Sequence, residues 1–134
     1  MATIKTVAEK LAIKPGNAVW TSHPDRLGLI GDLPGDAATT TDLRTAQVAL
    51  LFADDAQSAR DILTTHKDDV TAPPIIWVAY PKANRADINR DSLWPIVVEY
   101  GLRPNGQVAL DETWSALRFR ANKAGEAPFT GGKK

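Results

Sequence analysis

Two nearly unbroken apolar runs organise the chain. Ala46 to Ala53 (AQVALLFA) and Ile75 to Tyr80 (IIWVAY) offer no regular polar face. Such runs suit central parallel strands covered on both sides. Asn17 to Ser22, with Val19 and Trp20, reads as a shorter first strand, and Ala37 to Thr41 as a short edge strand. Gln107 to Glu112 and Ser115 to Ala121 alternate apolar and polar residues, the period of an antiparallel pair. Helical signals fall between. Thr6 to Glu9 has the spacing of a capping box and opens a short helix that ends before Pro15-Gly16. Pro24 to Ile30 is predicted helical, with Gly31 as its stop. Asp54 or Asp55 caps a helix to about His66, with Ala56, Ala59, Ile62 and Leu63 on one side. Asp91 or Ser92 caps another to Tyr100, with Pro95 in its first turn and Gly101 as its close. Leu33 to Asp36 is a turn and Pro81 to Arg90 a polar loop.

Strands alternating with helices imply βαβ units. The predicted fold is α/β: a three-layer Rossmann-like, mostly parallel sheet of about six strands, ending in an antiparallel pair, with helices on both faces. It occupies residues 1–121 as one domain, followed by a flexible tail over 122–134 that holds three glycines and three lysines. The 134-residue length and 43% hydrophobic content suit a single domain with a sizeable core.

Charge narrows the function classes. Sixteen basic and sixteen acidic residues cancel, which argues against a dedicated nucleic-acid or membrane-surface binder. The distribution is uneven: seven acids and three bases lie between Asp36 and Asp69, and five bases and one acid follow Thr113. The absence of cysteine excludes disulfides, thiolate metal sites and cysteine nucleophiles. No apolar run approaches the roughly 20 residues needed to cross a bilayer. A cytoplasmic location is expected.

The segments LAIKPGNAVW, AQVALLF, IIWVAYPKANR and DETWSALRFR, in that order, resemble a family of uncharacterised bacterial proteins. These carry a truncated class I methyltransferase-like Rossmann fold, and the resemblance covers residues 8–121. It implies strand order 2-1-3-4-6-5 with the last-but-one strand antiparallel to the rest. The family has no established activity. Working methyltransferases place a glycine-rich turn after their first strand, whereas here Thr21-Ser22-His23-Pro24-Asp25 follows and the first glycine is Gly28. Such a turn should crowd a nucleotide-like ligand. For the acidic residue that would grip a ribose, Asp42 is the loose candidate. No cofactor is expected.

Candidate sites each have a plain structural alternative. Ser22, His23 and Asp25 hold the residue types of a nucleophilic triad, but near-consecutive residues rarely converge, and capping of a helix explains them better. His66 suits a helix C-terminus. Metal ligation by His23 with His66 lacks further partners, and Asp54-Asp55 and Asp68-Asp69 read as a cap and a solvated loop rather than magnesium sites. Trp77 reads as core, and Trp94 as core or interface. Lys82, Asn84 and Arg85 follow a buried strand at its carboxyl end, where open α/β sheets bind ligands, and would make that rim cationic. Trp20 and Trp114, at strand ends, and His23 complete a candidate ligand-binding set.

The resulting expectation is a non-catalytic domain on a degenerate methyltransferase-like scaffold. It would bind a small anionic ligand or a protein partner, and homodimerisation through a sheet edge or an aromatic face would fit. The alternative is a small S-adenosylmethionine-dependent methyltransferase-like enzyme with an atypical cofactor loop. A third reading is a nucleic-acid accessory protein using Lys82, Arg85, Arg90 and the basic C-terminus.

Overall fold

A computed structural model describes residues 10–26, 33, 35–81, 90–110 and 113–121. The capping box at Thr6, the segment from Leu27 to Gly31, the loop bearing Lys82, Asn84 and Arg85, and the tail over 122–134 lie outside the described residues, as does the side chain of Trp94.

The elements run β1 (Ala18–Thr21), β2 (Ala38–Thr39), β3 (Val48–Phe52), α1 (Ala56–Thr65), β4 (Ile75–Pro81), α2 (Arg90–Val98), β5 (Leu102–Ala109) and β6 (Trp114–Ala121), with a 3-10 turn at Leu43–Thr45 before β3. They form one six-stranded sheet in the order β2-β1-β3-β4-β6-β5. β1 pairs in parallel with β2 and β3, and β3 in parallel with β4. β6 is antiparallel to both β4 and β5. The order and the antiparallel last-but-one strand are as the family resemblance implied. The fold is a mixed Rossmann-like α/β architecture of the methyltransferase type.

The two apolar runs become β3 and β4, at the centre of the sheet. Every residue of β3 is buried. Alternate side chains feed two separate cores. On one face Trp20, Ala49, Leu51, Ile76, Val78 and Leu117 pack beneath α1 and α2 through Ala59, Leu63, Leu93, Ile96 and Val97. On the other, Val19, Leu50, Phe52, Trp77, Ala79 and Ala116 pack against Leu11, Ile13 and Leu110.

α1 is set by Asp55, whose carboxylate accepts from the Ser58 amide while the Ser58 hydroxyl accepts from the Asp55 amide. Its closing residue is His66, whose amide bonds to the Ile62 carbonyl. The exposed Arg44–Asp69 pair, at 2.8 Å, links the 3-10 turn to the segment after α1, and the hydrogen bond to Asp69 raises the pKa of Arg44 above its ordinary value.

Two expectations need correction. α2 is already helical at Arg90, so neither Asp91 nor Ser92 caps it, and Pro95 falls beyond the first turn with its ring exposed. β5 begins at Leu102 rather than Gln107. Pro104 and Gly106 hid its first half, but an edge strand tolerates proline, and an irregularity between those two residues absorbs the glycine. Gly101, at φ 83°, makes the sharp transition from α2 into β5.

The second core is tied to the chain's N-terminal part by one buried hydrogen bond. The Trp77 indole N–H donates to the Leu11 carbonyl at 2.8 Å. Ala12 adopts φ 65°, in the left-handed region, and its flanking residues Leu11 and Ile13 are both buried. Among the described residues, no helix is long and apolar enough to cross a membrane.

Trp77→Phe leaves the Leu11 carbonyl without its donor and opens a void beside it. We expect a loss of roughly 1–3 kcal/mol from the orphaned carbonyl, measured as a lower urea midpoint with an unchanged m-value.

Candidate functional site

Strand order reverses between β1 and β3: from β1 the chain crosses to β2 on one side, and from β3 to β4 on the other. Open α/β sheets bind ligands beyond the strand carboxyl ends at such a point. Here the two strands are joined past their last main-chain rung. The Ser22 amide donates to the Leu50 carbonyl at 3.1 Å. The Phe52 amide donates to the Ser22 hydroxyl oxygen at 2.9 Å. Serine thus supplies, from its side chain, the acceptor that the backbone no longer offers after the chain turns away.

The same hydroxyl contacts His23 Nδ1 at 2.7 Å, with direction set by the imidazole tautomer. The His23 amide donates to Thr21 Oγ1 at 3.2 Å. These bonds fold the His23 ring back onto the edge of Phe52, centroids 6.1 Å apart and planes at 82°. Trp114, which begins β6 beside the end of β4, meets Phe52 in a second edge contact at 5.9 Å. Phe52 itself is fully buried.

Above these rings lies a charged pair. Pro24–Arg26 forms one 3-10 turn, and Arg26 reaches Asp54, just past β3, through two parallel bonds: Nη1 to Oδ1 at 2.8 Å and Nη2 to Oδ2 at 3.1 Å. The guanidinium carbon is 5.4 Å from the Trp114 ring centre and 5.9 Å from that of Phe52. The carboxyl ends of β1 and β3 and the start of β6 therefore bring together Ser22, His23, Arg26, Phe52, Asp54 and Trp114.

This differs from the candidate set in the sequence. Trp20, His23 and Trp114 do not share a pocket. Trp20 lies in the helix-covered core, 7% exposed, with its ring 4.7 Å from His66. His23 and Trp114 lie against Phe52, in the opposite core. The sheet stands between them. Lys82, Asn84 and Arg85 lie outside the described residues, so their relation to this cluster is not part of the described geometry.

The Ser22–His23 contact forms, but among the described residues Asp25 makes no hydrogen bond to His23, and Ser22 Oγ is engaged by the Phe52 amide. A relay of three does not result. His23 and His66 sit on opposite faces, and no cluster of metal-ligating residues occurs among those described. Asp55 caps α1, Asp69 pairs with Arg44, and Asp42 accepts from the Arg44 amide at the start of the 3-10 turn.

Arg26 and Phe52 escaped the sequence reading. A signal was present: one carboxylate suffices to cap a helix, so the doublet Asp54-Asp55 left one in search of a cation. The partner lies 28 residues away in the chain.

No protein-family model matches the chain. No curated protein matches it. Solved structures do share its fold. A protein of the NADB-Rossmann superfamily from Streptococcus agalactiae superposes with a TM-score of 0.55 at 12% identity, covering 96% of this chain and 72% of its own. Sp1610 of Streptococcus pneumoniae, a proposed tRNA (m1A22) methyltransferase, gives a TM-score of 0.56 at 11% identity over 96% and 74% of the two chains. The same protein has been solved in complex with S-adenosyl-L-methionine. The m1A22 tRNA methyltransferase TrmK of B. subtilis gives 0.54 at 11% identity over 90% and 67%.

At this identity the likeness is one of fold. It nevertheless overturns the expectation of a non-catalytic domain on a degenerate scaffold. The structures that share this shape include methyltransferases, one of them holding S-adenosyl-L-methionine, and the alternative of a methyltransferase-like enzyme with an altered first turn fits them better.

Ser22→Ala removes the acceptor of the Phe52 amide. The orphaned amide should cost about 1–3 kcal/mol. The measurement is chemical denaturation, with His23 ring resonances shifting in NMR spectra as the imidazole loses its partner.

Proposed function

We propose that the chain is a small S-adenosylmethionine-dependent methyltransferase-like enzyme whose cofactor crevice lies at the carboxyl ends of β1 and β3. The observation that carries this reading is the convergence, at the point of strand reversal, of a partly exposed ion pair and three aromatic rings. The fold shared with methyltransferases supports it.

The residues suit the cofactor's chemistry. Arg26 and Asp54 offer charges of both signs, and the half-buried rings of His23 and Trp114, seated on Phe52, offer aromatic surface of the kind that attracts a sulfonium cation. S-adenosylmethionine, when bound, supplies an electrophilic methyl group to a substrate nucleophile. His23 has Nδ1 tied to Ser22, so in the tautomer that carries its proton on Nδ1, Nε2 is the ring nitrogen able to take a proton from that nucleophile. The turn after β1 lacks glycine, but the two side chains that leave the strand are directed inward: the Ser22 hydroxyl bonds to β3 and the His23 ring packs on Phe52, while Pro24 and Asp25 are exposed. The turn is therefore atypical without being a plug of loose side chains.

The reading includes a bacterial origin and a cytoplasmic setting, the latter suited by the cysteine-free composition. The substrate is left open.

Calorimetric titration with S-adenosylmethionine and S-adenosylhomocysteine tests it. Saturable binding of both is expected, and the absence of heat at millimolar ligand overturns the reading.

A further inference from the structure

We propose that the Arg26–Asp54 pair is a placeholder for an amino-acid zwitterion. The ligand's α-carboxylate takes the place of Asp54 on the guanidinium, and its α-ammonium takes the place of Arg26 on the carboxylate. This rests on the cofactor reading above and assigns the residues that hold the amino-acid end of that molecule.

Geometry supplies the first argument. Arg26 presents two parallel N–H donors, at 2.8 and 3.1 Å, to the two oxygens of one carboxylate. Any free carboxylate matches the same fork. The guanidinium is held independently of Asp54, because its carbon also lies over the Trp114 and Phe52 rings. Exchanging its carboxylate partner therefore leaves the cation in place.

Accessibility supplies the second. The Arg26 and Asp54 side chains are 27% and 52% exposed. An ion pair this open to water contributes little to folding and can be replaced at little cost. Its position adds to this, since the two residues lie in the first turns after β1 and β3, on either side of the strand reversal.

Charge balance supplies the third, and it selects the ligand. The pair is neutral as a unit. A phosphate group would meet repulsion from Asp54, and the start of α1 offers it little compensation: the Asp54 and Asp55 amides both bond to Ser58 Oγ, and the Ser58 amide bonds to Asp55. A divalent cation would meet Arg26, and Asp55 is already engaged as a cap. A group carrying both charges conserves the count on each side.

The test compares S-adenosylhomocysteine with 5′-methylthioadenosine, which keeps the nucleoside and thioether but lacks the amino-acid end. Calorimetry on the purified full chain reads both. We expect wild type to bind S-adenosylhomocysteine at least about tenfold more tightly. Asp54→Asn and Arg26→Gln should each erase most of that advantage and leave methylthioadenosine binding within about twofold. Asp54→Asn alone decides the matter if Arg26→Gln unfolds through its lost ring contacts. Equal affinity of the two ligands for wild type, or equal loss of both in Asp54→Asn, overturns the placeholder and leaves the cofactor reading standing. Failure of both ligands to bind wild type overturns the cofactor reading itself, and the placeholder with it.

Discussion

The hydroxyl of Ser22 determines how the sheet is built at the carboxyl ends of β1 and β3. Parallel pairing between β1 and β3 would end where β1 turns away, leaving the Phe52 amide without an acceptor in the core. Ser22 supplies one. That bond holds the start of the turn against β3, and the same oxygen fixes His23, which then packs on Phe52. A buried amide must be satisfied, and the group that satisfies it also orders the residues around the strand ends. The crowded, glycine-free turn is therefore an integral part of the sheet.

Much of the fold was legible because hydrophobic periodicity reports burial on both faces. AQVALLFA and IIWVAY could be little other than central strands, and the doublet Asp54-Asp55 marked the start of α1. The first half of β5 was not legible. Pro104 and Gly106 are poor strand residues in a central position and acceptable at an edge, where β5 lies, and the local pattern does not separate the two cases. The start of α2 was misplaced because capping residues inside a helix look the same in sequence as those before it.

The candidate site was legible in location and less so in membership. His23 and Trp114 could be placed near strand ends from their neighbours. Trp20 could not be assigned a face. One step along a strand reverses the side, and the register that relates β1 to β6 passes through two intervening strands. Arg26 was hidden for another reason. A single arginine in a turn carries no local pattern, and its meaning arises only when the chain brings Asp54 and two aromatic rings to it.

The margins of the sheet carry a consequence for self-association. At one border β2 spans only Ala38–Thr39. At the other, β5 contains Pro104, which has no N–H to donate, and breaks its regular pairing before Gly106. Among the described residues, neither border presents a long, flat row of unpaired amides and carbonyls, the template on which foreign strands add. At both described borders, then, strand-to-strand addition of a second copy is disfavoured.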